Sequence, residues 1–256
     1  MSSPVVRRPS RTDAMLAAAT LRAAENRSSC PLFTDPFVEP LLQAAAARGW
    51  QPGPCADGGP LAAYEAYVAC RTRWFDEHFI AAGARGVDQA VIMASGLDTR
   101  PWRLPWLSSS AIFEIDHHEV LDFKCAALDG RRAEHAAAQH CVVPADPRTD
   151  WSMALQEAGF DGSEPAAWSL EGVLPDWSSD DRTAAVRLAA ELSRPASRLA
   201  VEIPEAEADA LCAQLCGLGW QVAVERAQTL MDRYSRCVPD DAVELTPRRA
   251  FLCAVR

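Results

Sequence analysis

The chain has 256 residues, 49% of them apolar and 23% charged, with a formal net charge of −10. That is enough length for one full domain with a large core, and the composition is that of a globular chain, not a disordered one. The negative surface repels phosphate backbones and argues against non-specific nucleic-acid binding, and no apolar run reaches membrane-spanning length.

Residues 1–11 are polar and basic, with Arg7, Arg8 and Arg11, and read as disordered. No apolar segment follows these arginines, so no secretory leader is expected. A helical cap over 12–82 comes next. Its helices are expected at 13–25, at about 35–48 starting from Asp35-Pro36, and at 61–82; a Gly/Pro-rich loop at 49–60 separates the last two. From there short apolar runs alternate with helical patterns. Strands are expected at 90–93, 111–115, 141–143, 166–170, 199–203, 221–225 and 250–255, and helices at 119–128, 151–157, 179–192 and 205–218. Such alternation implies an α/β fold, a mostly parallel seven-stranded sheet with helices on both faces. Only a loop, 227–249, is expected between the last two strands. Without a helical crossover one of them must run antiparallel.

Nine cysteines are scattered without a CxxC pair; the closest, Cys212 and Cys216, lie one helical turn apart with no further ligand near. No metal site is expected, and most of these thiols read as small buried hydrophobes. Their odd number points to a reducing compartment, hence a cytoplasmic location.

The chemistry concentrates at 90–105, AVIMASGLDTRPWRLP. The apolar run 90–93 breaks into the small-residue turn Ala94-Ser95-Gly96, and the next apolar run ends on Asp116, twenty positions after Gly96. A turn that lets a ligand approach the backbone, followed by a strand-end acid able to accept both ribose hydroxyls, is the layout of a nucleotide site. The turn has one glycine where a dinucleotide fingerprint needs three, so an NAD-dependent oxidoreductase is the weaker reading. S-adenosylmethionine has no pyrophosphate to seat, and one close backbone approach suffices.

The run SGLDTRPWRLPW resembles the GAGLDTRAYRL motif of the leucine carboxyl methyltransferase family of class I methyltransferases. Further segments are similar to that family in the same order: RAAENRSSCPLFTDPF, YVACRTRWFDEHF, IFEIDHHEVLDFKCAAL, VVPADPRTDWSMAL, AAWSLEGVL, SRLAVE and GWQVAVERAQTLMDRY. The similarity runs from about Leu16 to the C-terminus. It implies a single Rossmann-like class I methyltransferase domain over 1–256, S-adenosylmethionine as cofactor, and O-methylation of a carboxylate on a small secondary-metabolite-like acid. Non-catalytic binding of the methyl donor is the alternative. Oligomeric state is not legible.

Residue roles follow from the resemblance. Ala94, Ser95 and Gly96 form the turn, with Gly96 under the methionine part of the methyl donor. Asp116 holds the ribose. Asp146 accepts from the adenine amino group with Pro147 beside the ring. Arg71 or Arg73 pairs with the donor carboxylate; the two cannot share a helix face, and Arg71 is preferred. Glu171 sits at the junction of donor and acceptor. Trp168 and Trp177 flank the fourth strand end, where either can line an acceptor pocket or fill core. Glu114 should face away from the site, and Asp98 either caps the following helix or touches ligand. His117 and His118 receive no catalytic role. Two departures stand out: Ala94 replaces a usual glycine, and Leu174-Pro175-Asp176-Trp177 replaces a tyrosine-containing stretch. The 204–219 segment is also shorter than the lid of many relatives.

Overall fold

The computed structural model describes residues 11–50, 60–130, 139–172, 177–236 and 247–256. Three helices come first, α1 (Arg11–Glu25), α2 (Val38–Ala47) and α3 (Pro60–Gly83). Arg11 opens α1, so it is not part of a disordered tail as expected. Among the described residues, seven strands and six further helices follow: β1 (Gln89–Met93), α4 (Arg100–Arg103), β2 (Ala111–Asp116), α5 (His118–Ala127), β3 (Gln139–Pro144), α6 (Ser152–Glu157), β4 (Ala166–Leu170), α7 (Ser179–Glu191), β5 (Arg198–Pro204), α8 (Ala208–Gly217), β6 (Gln221–Arg226), α9 (Ala227–Arg233) and β7 (Arg249–Val255).

The strands form one sheet in the order β3-β2-β1-β4-β5-β7-β6. β1 through β5 pair in parallel, and β7 lies antiparallel to both β5 and β6. The inner strands β1 and β4 are buried along their whole length, as a sheet covered on both faces requires. Their side chains alternate between two cores. Val91, Met93, Trp168 and Leu170 face the side of α6, α7 and α8, where Trp151, Phe160 and Trp220 also pack. Ala90, Ile92 and Ala167 face Phe79 of α3 on the other side.

Two details depart from the sequence reading. The segment after β6 is not only loop: α9 forms because Ala227, Leu230 and Met231 recur at helical spacing and bury against α3 and β7. The helix expected at 205–218 begins as a separate 3₁₀ turn, Glu205–Glu207, before α8. Residues 1–10 and most of the expected 49–60 loop lie outside the described residues. No helix among the described residues is long and apolar enough to cross a membrane.

The sheet order places β1 at a switch point. The chain leaves β1 toward β2 and β3, then returns to the other side of β1 as β4. The loops after β1 and β4 therefore diverge and leave a crevice beyond the strand ends, the usual ligand position in such sheets.

Candidate active site

A cavity of about 730 Å³ occupies that crevice. Its centre is the turn after β1. Ala94 and Gly96 both take left-handed backbone, φ 49° and 50°. The turn is tied to β2 by two bonds: Ser95 N donates to Ile115 O (3.3 Å), and Gly96 N donates to Asp116 Oδ2 (2.7 Å). The twenty-residue spacing read in the sequence thus closes as a direct hydrogen bond. A Cβ on Gly96 would lie 3.1 Å from the Met15 sulfur of α1, so α1 packs closely over the turn. Lys124, fully buried behind it, bonds Glu114 Oε1 (2.5 Å) and Ser95 Oγ (3.1 Å), and His140 meets the other Glu114 oxygen (2.7 Å). Glu114 does not line the cavity, but not through alternation, which puts it on the same face of β2 as Asp116; it lies deeper along the strand, closed off by Lys124.

Around the turn the structure brings Arg71, Asp146, Pro147, Glu171 and Trp177 to the cavity wall. Asp116 is at the expected place but beneath the wall, not in it. It is fully buried, its Oδ2 under the Gly96 amide and its Oδ1 accepting from His117 N (2.6 Å). Of the two arginines on α3, only Arg71 faces the cavity; Arg73 turns outward to Glu77 (2.8 Å) and the Leu32 carbonyl. Trp168 is core: it packs on Trp151 and Phe160, with no surface in the cavity. The 174–176 departure lies outside the described residues, leaving Trp177 as its described member.

The wall between β1 and β4 is a buried ionic network. Glu171 accepts from Arg71 Nε (2.9 Å) and from an Arg100 terminal nitrogen (2.7 Å). Arg100 also bonds Asp76 (2.7 Å), Asp98 (2.5 Å) and the Thr72 carbonyl (3.1 Å). Burial alone would lower the Arg71 and Arg100 pKa values. Glu202 and Glu171 outweigh it for Arg71, and Asp98, Glu171 and Asp76 for Arg100, so both are raised. Asp98 accepts from Arg100 N (2.7 Å) at the start of α4, consistent with its capping reading. Burial raises the Asp98 pKa, but Arg100, Lys124 and Arg103 pull it below the ordinary value. At the rim, Arg148 bonds both oxygens of Asp146 and holds that carboxyl at about 2. His117 Nε2 lies 3.9 Å from Asp146, too far for a hydrogen bond. His118 points outward to Asp122.

Several site residues escaped the sequence reading. Glu202, just past the part of β5 paired with β4, accepts the Tyr67 hydroxyl and the Gly172 amide (2.8 Å), and lines the cavity with Tyr64 and Arg249. An acid at a parallel strand end was its available signal, since Asp116 ends β2 and Glu171 follows β4 in the same way. Asp35 bonds Arg22 Nε (3.1 Å) and Thr99 Oγ1 (2.8 Å), joining α1 to the segment after the turn. Nothing local in the sequence announces that link.

Sheet order, switch-point cavity and strand-end acids together define the class I methyltransferase architecture. A DUF574-family protein from Streptomyces avermitilis shares the fold at TM-score 0.55 and 15% identity, over 96% of this chain and all of that one. A Thermobifida fusca structure assigned provisionally as a methyltransferase does so at TM-score 0.52 and 17% identity, covering 93% of each chain. Residues 15–184 match the family model for leucine carboxyl methyltransferase. A Mycobacterium sp. (strain JLS) protein, named provisionally as an S-adenosyl-L-methionine-dependent methyltransferase, is 44% identical over 242 residues, 94% of this chain and 95% of its own length. The chain belongs to the leucine carboxyl methyltransferase family, whose members depend on S-adenosylmethionine. The oxidoreductase reading is thereby overturned.

Proposed function

We propose that this protein transfers a methyl group from S-adenosylmethionine to a carboxylate of a small-molecule acid of secondary-metabolite type, in the cytoplasm. One observation carries the reading: a single cavity gathers the Gly96 turn, Arg71, Asp146-Pro147 and Glu171 at the switch point. The side chains present fit the methyl donor. Gly96 offers a backbone cradle that a Cβ would crowd, and Arg71 offers a fixed cation for the donor's carboxylate. Asp146 is an acceptor kept ionised at the rim, suited to an exocyclic amine. Asp116 is the ribose acceptor once the residues covering it part. Glu171, locked between two arginines, sets the orientation of Arg71.

When bound, the methyl donor supplies a sulfonium methyl whose carbon–sulfur electron pair leaves with the sulfur as the new carbon–oxygen bond forms. A carboxylic acid with a pKa of about 4 is already ionised at neutral pH, so the protein has no proton to remove. Its residues have to align the two reactants and exclude water. That agrees with a cavity whose one imidazole, among the described residues, is His117 at the rim.

Calorimetric titration with S-adenosylmethionine and S-adenosylhomocysteine, on wild type and Asp116→Ala, tests the cofactor. Micromolar-range binding by wild type, lost in the variant, is expected; no binding by wild type overturns the proposal. The methylated product is expected to release methanol under mild alkali, as an ester does and an aryl ether does not. A second reading, binding without turnover, draws on the strained Ala94 and the enclosed Asp116. It predicts donor binding with no methyl transfer to any carboxylate.

A further inference from the structure

The cavity has two halves. One is the β1–β4 crevice with the Gly96 turn, Arg71 and Glu171. The other lies toward β5 and β7, where Tyr64 and Tyr67 of α3, Glu202 of β5 and Arg249 at the start of β7 form the wall. The methyl-donor residues fall in the first half, so an acceptor belongs in the second.

Charge pairing separates one arginine from the rest. Six arginines line the cavity among the described residues. Five have a carboxylate oxygen within hydrogen-bond distance: Arg22 with Asp35 at 3.1 Å, Arg71 with Glu171 at 2.9 Å, Arg100 with Asp98 at 2.5 Å, Arg103 with Asp76 at 2.6 Å and Arg148 with Asp146 at 2.7 Å. The sixth is Arg249. Among the described residues it forms the longest ion pair of the six, with Glu202 3.7 Å from Nε and outside hydrogen-bond distance. Glu202 is not free to close that gap, because the Tyr67 hydroxyl and the Gly172 amide hold its two oxygens. What remains to Arg249 is a long bond of 3.4 Å to the carbonyl of its own neighbour, Arg248. Its side chain is 29% exposed, so its guanidinium is partly desolvated and still accessible.

We infer that Arg249 is the acceptor-binding cation of this cavity and that it pairs with the carboxylate of an acid acceptor. The planar fork matches a carboxylate, and a partly desolvated arginine gains more from an anion than a solvated one. Holding one oxygen leaves the other to form the new bond to the methyl carbon. The acceptor arrives ionised, so no proton moves. The exposed ring of Tyr64, stacked at 6.0 Å on buried Tyr67, offers a wall for an apolar body behind that carboxylate. Assigning the anion as the methyl acceptor rests on the proposed function; the anion site itself does not.

Two probes with the same body, 4-phenylbutyrate and the neutral 4-phenylbutan-1-ol, are titrated into the protein loaded with S-adenosylhomocysteine. Wild type is expected to bind the acid about tenfold or more tighter than the alcohol, the scale of one charge-assisted hydrogen-bonded pair. In Arg249→Gln the two are expected to bind within about twofold of each other, while S-adenosylhomocysteine affinity stays unchanged because the methyl donor is held in the other half. No acid preference in wild type, whether by equal binding or by none, overturns the inference, as does a preference that survives in folded Arg249→Gln. Should that variant not fold, Arg249→Lys decides: a preference lowered about threefold supports the role of the fork, and an unchanged one overturns it. Failure of the methyl-donor reading shows separately, as absent S-adenosylhomocysteine binding. The probes are then compared on the free protein by the same criteria.

Discussion

Two neighbouring residues of the turn carry the same backbone conformation with different side chains. Ala94 and Gly96 are both left-handed, which costs an L-residue about 1–2 kcal/mol and glycine nothing. Gly96→Ala is expected to lose about 1–2 kcal/mol in urea unfolding, mostly from backbone strain, because Met15 can yield at its flexible end. Met15→Ala in that background should recover only a minor part. Ala94→Gly relieves the same strain but gives the unfolded chain more freedom, so its stability should stay within about 0.5 kcal/mol of wild type. Elsewhere, His78 of α3 is buried with neither ring nitrogen in hydrogen-bond geometry. Burial, then Arg198, push its pKa down to about 3; the Trp168 backbone opposes them less strongly. The folded state therefore refuses a proton that the unfolded state takes up below about pH 6.5, and stability must fall as pH drops through that window. Between about pH 7 and 5 the loss from this group is about 2 kcal/mol, and His78→Leu should remove it. Thermal melts of both proteins at the two pH values check the sign; an equal drop in both would refute it.

Helix α3 shows what a sequence can and cannot disclose at the scale of an element. Its helical pattern was legible, and the spacing of Arg71 and Arg73 already required that only one face the site. Choosing between them needed the partners: Glu171 and Glu202 lie a hundred residues or more away in sequence, whereas Glu77 is one turn along. The same holds for Asp76 and Arg100, whose contact joins α3 to the short α4. The inner strands were readable because an apolar run buried on both faces has a local signature, and Gly96 and Asp116 because they punctuate two such runs. Asp35 joins α1 to the segment after the turn by contacts across the fold, which no local pattern encodes, whereas Glu202 carried the signal of a strand-end acid without its partners. The two classes of ion pair should behave differently when cut. Arg100→Met leaves Asp76, Asp98 and Glu171 short of a buried cation and should cost about 3–5 kcal/mol. Arg73→Ala breaks a pair that is 41% exposed on each side and should cost within about 0.5 kcal/mol. Chemical denaturation of the two variants reads both numbers, and comparable losses would count against the network as the anchor of α4.

For the whole molecule, the sheet order decides where chemistry can happen, and the loops and α1–α3 decide what enters. The Mycobacterium sp. (strain JLS) relative aligns with this chain nearly residue for residue. The cavity holds little proton-transfer machinery among the described residues. Arg71, Arg100 and Arg103 stay charged at any working pH, their pKa values raised by the carboxylates that outweigh burial. Tyr67 is held protonated, raised by burial and then by Glu202. Asp146 is ionised above about 2. With a carboxylate acceptor, kcat/KM for methyl transfer should therefore be flat from about pH 6 to 9, where neither the acceptor nor these groups change charge. His117→Ala should lower kcat by no more than about threefold, since its ring is at the rim and outside hydrogen-bond distance of Asp146. Radiolabelled methyl transfer measured across that range gives the profile. A rate that climbs tenfold per pH unit would mean that a proton must leave before the methyl arrives, as for a phenol, and would move the acceptor from acid to hydroxyl.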